Sequence, residues 1–431
     1  MQKLTQLVGG IALAALLAGC NGTDAPRESP ETAAFDVASS DLGRDLAPGI
    51  GGEEFAMLID GNTRFAFELY RELATDEGNL FFSPHSISVA LAMVYAGARG
   101  NTRTEIAEAL SFRLGEPALH EAFNALDLAL ASRGEGASGR DGEPFRLRVV
   151  NAAWAQRGYP FLAPYLDTLA RNYGAGLNLL DFVAEPEPSR QVINDWVAEQ
   201  TEQRVPELLP SGSIGSLTRL VLTNAVYFNA AWASPFRREA TAMQGFALPD
   251  GSLVEVPTMR QESVFRHAHV DGVMALEMPY DGNEVAILLL MGDGDFGNFE
   301  AALSPELLAR TLEALSPTHL VLHLPRFESR SSASLKPVLQ DLGMNDAFQP
   351  GSADLSGIDG QRELYVTDLL HEAFVLLDED GTEAAAATAA VIAPTSAPQL
   401  MVHFDRPFAF AIRDVETGAI LFMGRVLDPR G

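Results

Sequence analysis

The side chains able to do chemistry in this chain are few and scattered. The sequence holds eight histidines and one cysteine among 431 residues. His267 and His269 would share one face of a strand, and so would His319 and His323. Paired neutral imidazoles can hold a transition metal, but neither pair has an obvious third ligand nearby. Surface or half-buried histidines explain both pairs better. Gly292-Asp293-Gly294-Asp295-Phe296-Gly297 follows an apolar run and matches the GxGxxG turn of dinucleotide sites. Its two aspartates would point negative charge at a pyrophosphate, and helix-like sequence resumes only near Ser304-Pro305, so a solvated turn is the better reading. Asp378-Glu379-Asp380-Gly381 has the oxygen ligands of a calcium loop without the spacing of an EF-hand. GxSxG, GxxxxGK[ST] and HExxH are all missing from the sequence. These residues form no coherent catalytic site. No enzyme activity, cofactor or metal is expected.

Composition narrows the partners. Thirty basic against 58 acidic residues give a formal charge of −28, which argues against phosphate backbones and against a polybasic membrane patch. With 47% hydrophobic and 20% charged residues, the chain reads as globular and large enough to need no disulfides. The lone cysteine excludes an intrachain bridge. It ends a short apolar run, Leu7 to Ala18, in Leu17-Ala18-Gly19-Cys20, which resembles a bacterial lipobox. Cys20 would then carry a lipid anchor; the alternative is an ordinary signal peptide with an incidental cysteine. Residues 1–20 are expected to be the signal, 21–50 a flexible tether and 51–431 the folded body. The expected location is extracytoplasmic, either lipid-anchored or secreted. In a Gram-negative cell, Asn21 would favour the outer membrane.

Periodicity supplies the elements of the body. Phe55, Leu58, Ile59, Phe65 and Leu69 repeat at helical spacing within Glu53 to Ala74. Asn79 to Phe82 reads as a short strand, after which Ser83 and Pro84 suit an N-cap and a first helical turn. Thr102 and Glu105 predict a capping box. Phe145 to Gln156 reads as a strand and Pro188 to Glu202 as an amphipathic helix. Leu220 to Asn229, Glu284 to Met291 and Leu320 to Phe327 read as buried strands, and a terminal hairpin turns at Thr417-Gly418. Helices dominate early and strands late, without βαβ alternation, so a single α+β domain is expected.

The informative segment is Asp378 to Gln399. A buried strand ends at Asp378, and Glu383-Ala384-Ala385-Ala386-Ala387-Thr388 follows soon after. Alanine favours a helix, but Pro394 and Pro398 break one quickly and no large apolar residue would dock it. Taken with period two, Thr382, Ala384, Ala386, Thr388, Ala390 and Ile392 form one small, uncharged face, with Glu383 on the other. Such a chain could slip between existing strands, and Gly381 offers a hinge.

Glu379-Asp380-Gly381-Thr382-Glu383 with Ala384, Ala385, Ala386, Ala387 and Thr388 resembles the proximal hinge of inhibitory serpins. His403-Phe404-Asp405-Arg406-Pro407-Phe408 is similar to the family signature after the reactive loop, and Leu421 to Val426 with Asp428-Pro429 to its last strand. Asn79 to Ile87 resembles the shutter, and Thr223 to Asn229 with Trp232 and Pro235-Phe236 the third central strand and the breach. The resemblance runs from about Glu53 to Arg430. It implies a serpin fold of three β-sheets, about eight or nine helices and an exposed reactive loop at about 378–400. It also implies a suicide-substrate inhibitor of serine (alternatively cysteine) endopeptidases, and a monomer. Ser83, Ser86, Asn224 and His371 would form the shutter and Trp232 the breach. Family spacing from Gly381 places the attacked bond at Thr395-Ser396; counting back from Pro407 places it one residue later. With no Lys or Arg between Gly381 and Gln399, elastase-like or subtilisin-like proteases suit the loop better than trypsin-like ones. Heparin is not expected as a partner, because only Arg113 and Arg133 punctuate the acidic stretch Ser111 to Arg133. A non-inhibitory serpin acting as a binding or chaperone-like protein is the alternative.

Overall fold

The computed structural model describes residues 35–75, 78–139, 142, 145–382 and 400–431. Cys20, the hinge residues Glu383 to Thr388, and Thr395 and Ser396 lie outside them.

Among the described residues, strand β1 (Asp36–Ala38) and helix α1 (Gly52–Leu73) come first. Then come β2 (Leu80–Phe82), α2 (Pro84–Gly97), α3 (Gly100–Ala109), α4 (Ala118–Ala131), β3 (Arg146–Gln156), α5 (Ala163–Tyr173), β4 (Leu177–Leu180) and α6 (Pro186–Gln200). Strands take over with β5 (Leu220–Ala231), β6 (Ala242–Ala247), β7 (Leu253–Val270), β8 (Val273–Pro279) and β9 (Val285–Gly292). After α7 (Phe296–Ala302) and α8 (Pro305–Ala314) follow β10 (Ser316–Pro325), β11 (Phe327–Ser334), α9 (Lys336–Asp341) and α10 (Ser356–Asp359). The last strands are β12 (Val366–Leu377), β13 (Gly381–Thr382), β14 (Leu400–His403), β15 (Phe408–Asp414) and β16 (Ile420–Val426).

The central sheet runs β1-β4-β3-β5-β12-β11, with β13 added to β5. The other strands run β14-β10-β7-β8-β9-β15-β16-β2 with β6 on β7. The long β7 links two sheets there: its first part pairs with β6 and its last part, Arg266 to Val270, with β8. β5 and β12 lie side by side in parallel, from Leu220↔Val366 to Val226↔Ala373. Both faces of β5 are covered, which is why it reads as a continuous apolar run. On one face α2, buried almost throughout, packs against β3 and β5. On the other lies a separate core of Trp154, Phe182, Ile193, Val197 and Val221, to which α6 contributes.

Ten α-helices occur among the described residues, in keeping with the about eight or nine that the resemblance implied; α7, α9 and α10 have only 7, 6 and 4 residues. Several sequence expectations need adjustment. The capping box at Thr102 does not form. Thr102 sits inside α3 and its hydroxyl accepts from the Asp354 N–H, while Glu105 accepts from the N–H groups of Asn345 and Asp346. Leu320 to Phe327 is not one strand: β10 ends at Pro325, and Phe327 starts β11 in the central sheet. Part of the expected tether is docked. β1 pairs with β4, Phe35 meets Trp154 edge-on at 4.9 Å, and Arg44 reaches Asn124 and Asp127 on α4.

Candidate functional site

Ser83 follows β2 and caps α2, its hydroxyl oxygen accepting from the Ser86 N–H at 3.2 Å and donating to the Leu421 carbonyl at 2.7 Å. The strand register brings the rest together, since Asn224 of β5 lies between His371 of β12 and Asn151 of β3. The Ser83 N–H donates to His371 Nε2 at 3.3 Å, so the proton of a neutral imidazole must sit on Nδ1. That Nδ1 lies 2.5 Å from Asn224 Oδ1, and Asn224 Nδ2 donates to Ser86 Oγ and Asn151 Oδ1, both at 2.6 Å. Ser83, Ser86, Asn224 and His371 are all buried. Burial drives the His371 pKa down to about 3, so the ring is neutral at ordinary pH. A satisfied polar chain therefore crosses three strands directly over α2. Asn151 completes it and escaped the sequence reading, although it is the one amide in the apolar stretch Val149 to Ala153.

At the far end of the same two strands the sheet is open. Above Ala373 and Val226, β12 continues only on β11, while β5 runs on to Ala231. The chain turns at Asp378 to Gly381, closed by the Asp378 N–H donating to the Gly381 carbonyl at 3.1 Å. Gly381 and Thr382 then pair antiparallel with Ala231 and Ala230. Gly381 and Thr382 thus occupy the start of a strand between β5 and β12. Gly381 has φ +141°, and a Cβ there would lie 2.3 Å from the Ala230 carbonyl oxygen, so only glycine fits.

The acidic turn is fastened by cations and backbone groups. The buried Glu379 carboxylate accepts from Arg326 and from the Thr241 hydroxyl, and the Asp380 carboxylate pairs with Arg238. The Trp232 N–H donates to the Asp380 carbonyl at 3.0 Å, and the indole Nε1 donates to the Asp378 carbonyl at 2.9 Å. Trp232 stacks on Tyr280 with centroids 4.6 Å apart. Tyr280, Arg326 and Thr241 carry no motif signal in the sequence.

The profile of the serpin family (serine protease inhibitor) matches residues 60–429. The chain belongs to the serpin family. It is 38% identical over 378 residues to a serpin-like protein of Thermococcus kodakarensis, covering 86% of both chains. It is 36% identical over 386 residues to the leukocyte elastase inhibitor of Homo sapiens, covering 86% of this chain and 99% of that one. With antithrombin-III of Mus musculus it shares 38% identity over 386 residues, covering 86% of this chain and 82% of that one. The crystal structure of uncleaved ovalbumin matches with a TM-score of 0.76 at 26% identity, over 86% of this chain and all of that one. The three-sheet fold is that of the family, and protease inhibitors are prominent among these relatives.

The other sequence candidates in this serpin lie elsewhere. Gly292 ends β9, and a Cβ there would strike the Phe299 side chain at 2.6 Å. Helix α7 begins inside the GxGxxG stretch and not near Ser304, because the Asp295 carboxylate caps it by accepting from the Asn298 N–H. His269 meets Asp293, and His323 stacks on His403 at 4.2 Å. No group of three or more potential metal ligands occurs among the described residues.

Proposed function

We propose that this serpin inhibits serine endopeptidases as a suicide substrate. The observation that carries the reading is the seat of Gly381 and Thr382 between β5 and β12. Continued in the same register, the hinge would lay Thr388 beside Asn224 and Ile392 beside Leu220, filling β5 along its whole length. Thr382 is turned inward and buried, so an inserted strand of period two would turn Ala384, Ala386, Thr388, Ala390 and Ile392 inward as well. Small uncharged residues on that face could enter without displacing a packed core.

The nucleophile belongs to the partner. The target's serine oxygen would bond to the carbonyl carbon of Thr395, or of Ser396 if the bond is one residue later, and the following amine would leave with a proton. Insertion of the freed loop as a new strand would drag the acylated protease along and distort it before water could release it. The shutter chain of Ser83, Ser86, Asn224 and His371 sits where β5 and β12 must part. A loop rich in Ala, Thr, Ile and Pro suits elastase-like or subtilisin-like pockets, and a leukocyte elastase inhibitor among the relatives supports that choice.

Incubation with elastase-like and subtilisin-like proteases, followed by denaturing gels and mass spectrometry, tests the reading. A covalent complex with the cut at Thr395-Ser396 or Ser396-Ala397 is expected. Clean cleavage without complex across a broad panel overturns it. We further propose lipid anchoring at Cys20 outside the cytoplasm, at the outer membrane of a Gram-negative cell. Cys20→Ser should move the protein from the membrane fraction to the soluble one.

A further inference from the structure

Tyr280 follows β8 and belongs to none of the motifs that carry the family resemblance. It is fully buried, stacked on Trp232 at 4.6 Å and 10°, and edge-on to Phe228 at 5.0 Å and 81°. Its hydroxyl lies 3.1 Å from Thr382 Oγ1. No second partner meets the Tyr280 hydroxyl among the described residues. Burial pushes the phenol's pKa up, so two neutral hydroxyls share one hydrogen bond.

We propose that Tyr280 is a positioning residue that seats the first rung of the inserting strand, and so sets the partition between trapping and release. The proposal rests on the suicide-substrate reading above. The two neighbouring rings fix the phenol, so its hydroxyl is presented at one place whatever the hinge does. With Thr382 seated, the Tyr280 hydroxyl has a hydrogen-bond partner. With the hinge withdrawn, Thr382 gains water, but the Tyr280 hydroxyl is left in an aromatic pocket without its partner. An unpaired buried donor is unfavourable, and this asymmetry favours the seated hinge before any protease arrives. Insertion then starts from a formed rung. The attacked bond lies about a dozen residues further along, so the first encounter with the protease is unaffected.

Tyr280→Phe keeps the aromatic stack and removes only the hydroxyl. The excess of the stoichiometry of inhibition above one should rise about fivefold, the equivalent of about 1 kcal/mol for one neutral hydrogen bond. The second-order association rate should stay as it is. Thr382→Val should reproduce the effect, and adding Tyr280→Phe to it should change nothing more. Hydrogen exchange reads the seat without a protease. The Trp232 and Phe236 amides, which donate to the carbonyls of Asp380 and Glu379, should exchange faster in Tyr280→Phe. If the wild type traps no protease at all, the inhibitory reading fails, and exchange alone then decides the seat. Unchanged exchange in Tyr280→Phe overturns the proposal. So does a full effect of Tyr280→Phe in the Thr382→Val background.

Discussion

Thr382→Arg asks whether the small inward face of the hinge is what permits insertion. Thr382 is 2% exposed and lies between Ala230 on β5 and the Tyr280 ring. Its partner Tyr280 packs against Phe228 and Trp232, and the carboxylates of Glu379 and Asp380 are already held by Arg326 and Arg238. A buried charge left unpaired costs about 3–5 kcal/mol, and the long arginine stem favours the lower end by reaching toward water. At about 1.4 kcal/mol per tenfold, about 3 kcal/mol slows insertion by about 100-fold if the first rung is formed at the barrier. The stoichiometry of inhibition is one plus the ratio of deacylation to insertion rates, so its excess above one grows by the same factor. The assay is titration of an elastase-like protease, read as residual activity and as complex on a denaturing gel. Trypsin-like enzymes are unsuitable because the new arginine is itself a cleavage site. The variant should behave as a substrate, cleaved without complex, while Thr382→Ser stays inhibitory. A variant that traps protease at the wild-type stoichiometry would refute the reasoning.

Other perturbations probe neighbouring parts of the same argument. Gly381→Ala puts a Cβ 2.3 Å from the Ala230 carbonyl oxygen at a φ of +141°, so it should unseat the hinge and raise the stoichiometry with little change in association rate, both measurable by titration. Burial lowers the pKa of His371 to about 3, and that of His85 to about 4 despite the opposing Asp127 carboxylate, from an ordinary 6.5. Both rings are neutral when folded and gain protons on unfolding, so their contribution is intact above pH 6.5 and declines toward the folded values, by about 1.4 kcal/mol per pH unit and group. Urea midpoints should fall between pH 7 and 4.5, and His85→Leu, which removes a ring with no hydrogen-bond partner, should flatten that slope. Truncation before Pro48 removes β1, the Phe35–Trp154 contact and the Arg44–Asp127 pair; it should cost about 2 kcal/mol in urea and speed exchange in β4, and an unmoved midpoint would show the segment to be a passive tether.

The sequence shows most where spacing alone carries the information. Ser83 and Pro84 open α2 as caps do in any helix. The terminal hairpin appears as β15 and β16 around Thr417-Gly418, because a turn and two apolar runs are local signals. The early tether differs from its expected form from Phe35 onward. Its polar composition says nothing about β4 and α4, which supply its partners from far along the chain. The short helices α7, α9 and α10 leave no trace in the sequence for a related reason, as one or two turns are too brief for a period to show.

What the sequence determined by itself is the family and the alternation of the hinge, since small residues at period two define a face before any fold is known. Where its first residue, Thr382, sits was a tertiary decision. The seat between β5 and β12 exists because the two strands part above Val226 and Ala373, a gap made by residues about 150 positions apart. The partners of the site were decided at the same level. Asn151 joins the polar chain of Ser86, Asn224 and His371 through strand register, Arg326 and Thr241 hold Glu379, and Tyr280 meets Thr382 across 102 positions of chain. A hydroxyl or guanidinium has no pattern in sequence. Its role is fixed only when folding buries it beside the one group that can satisfy it.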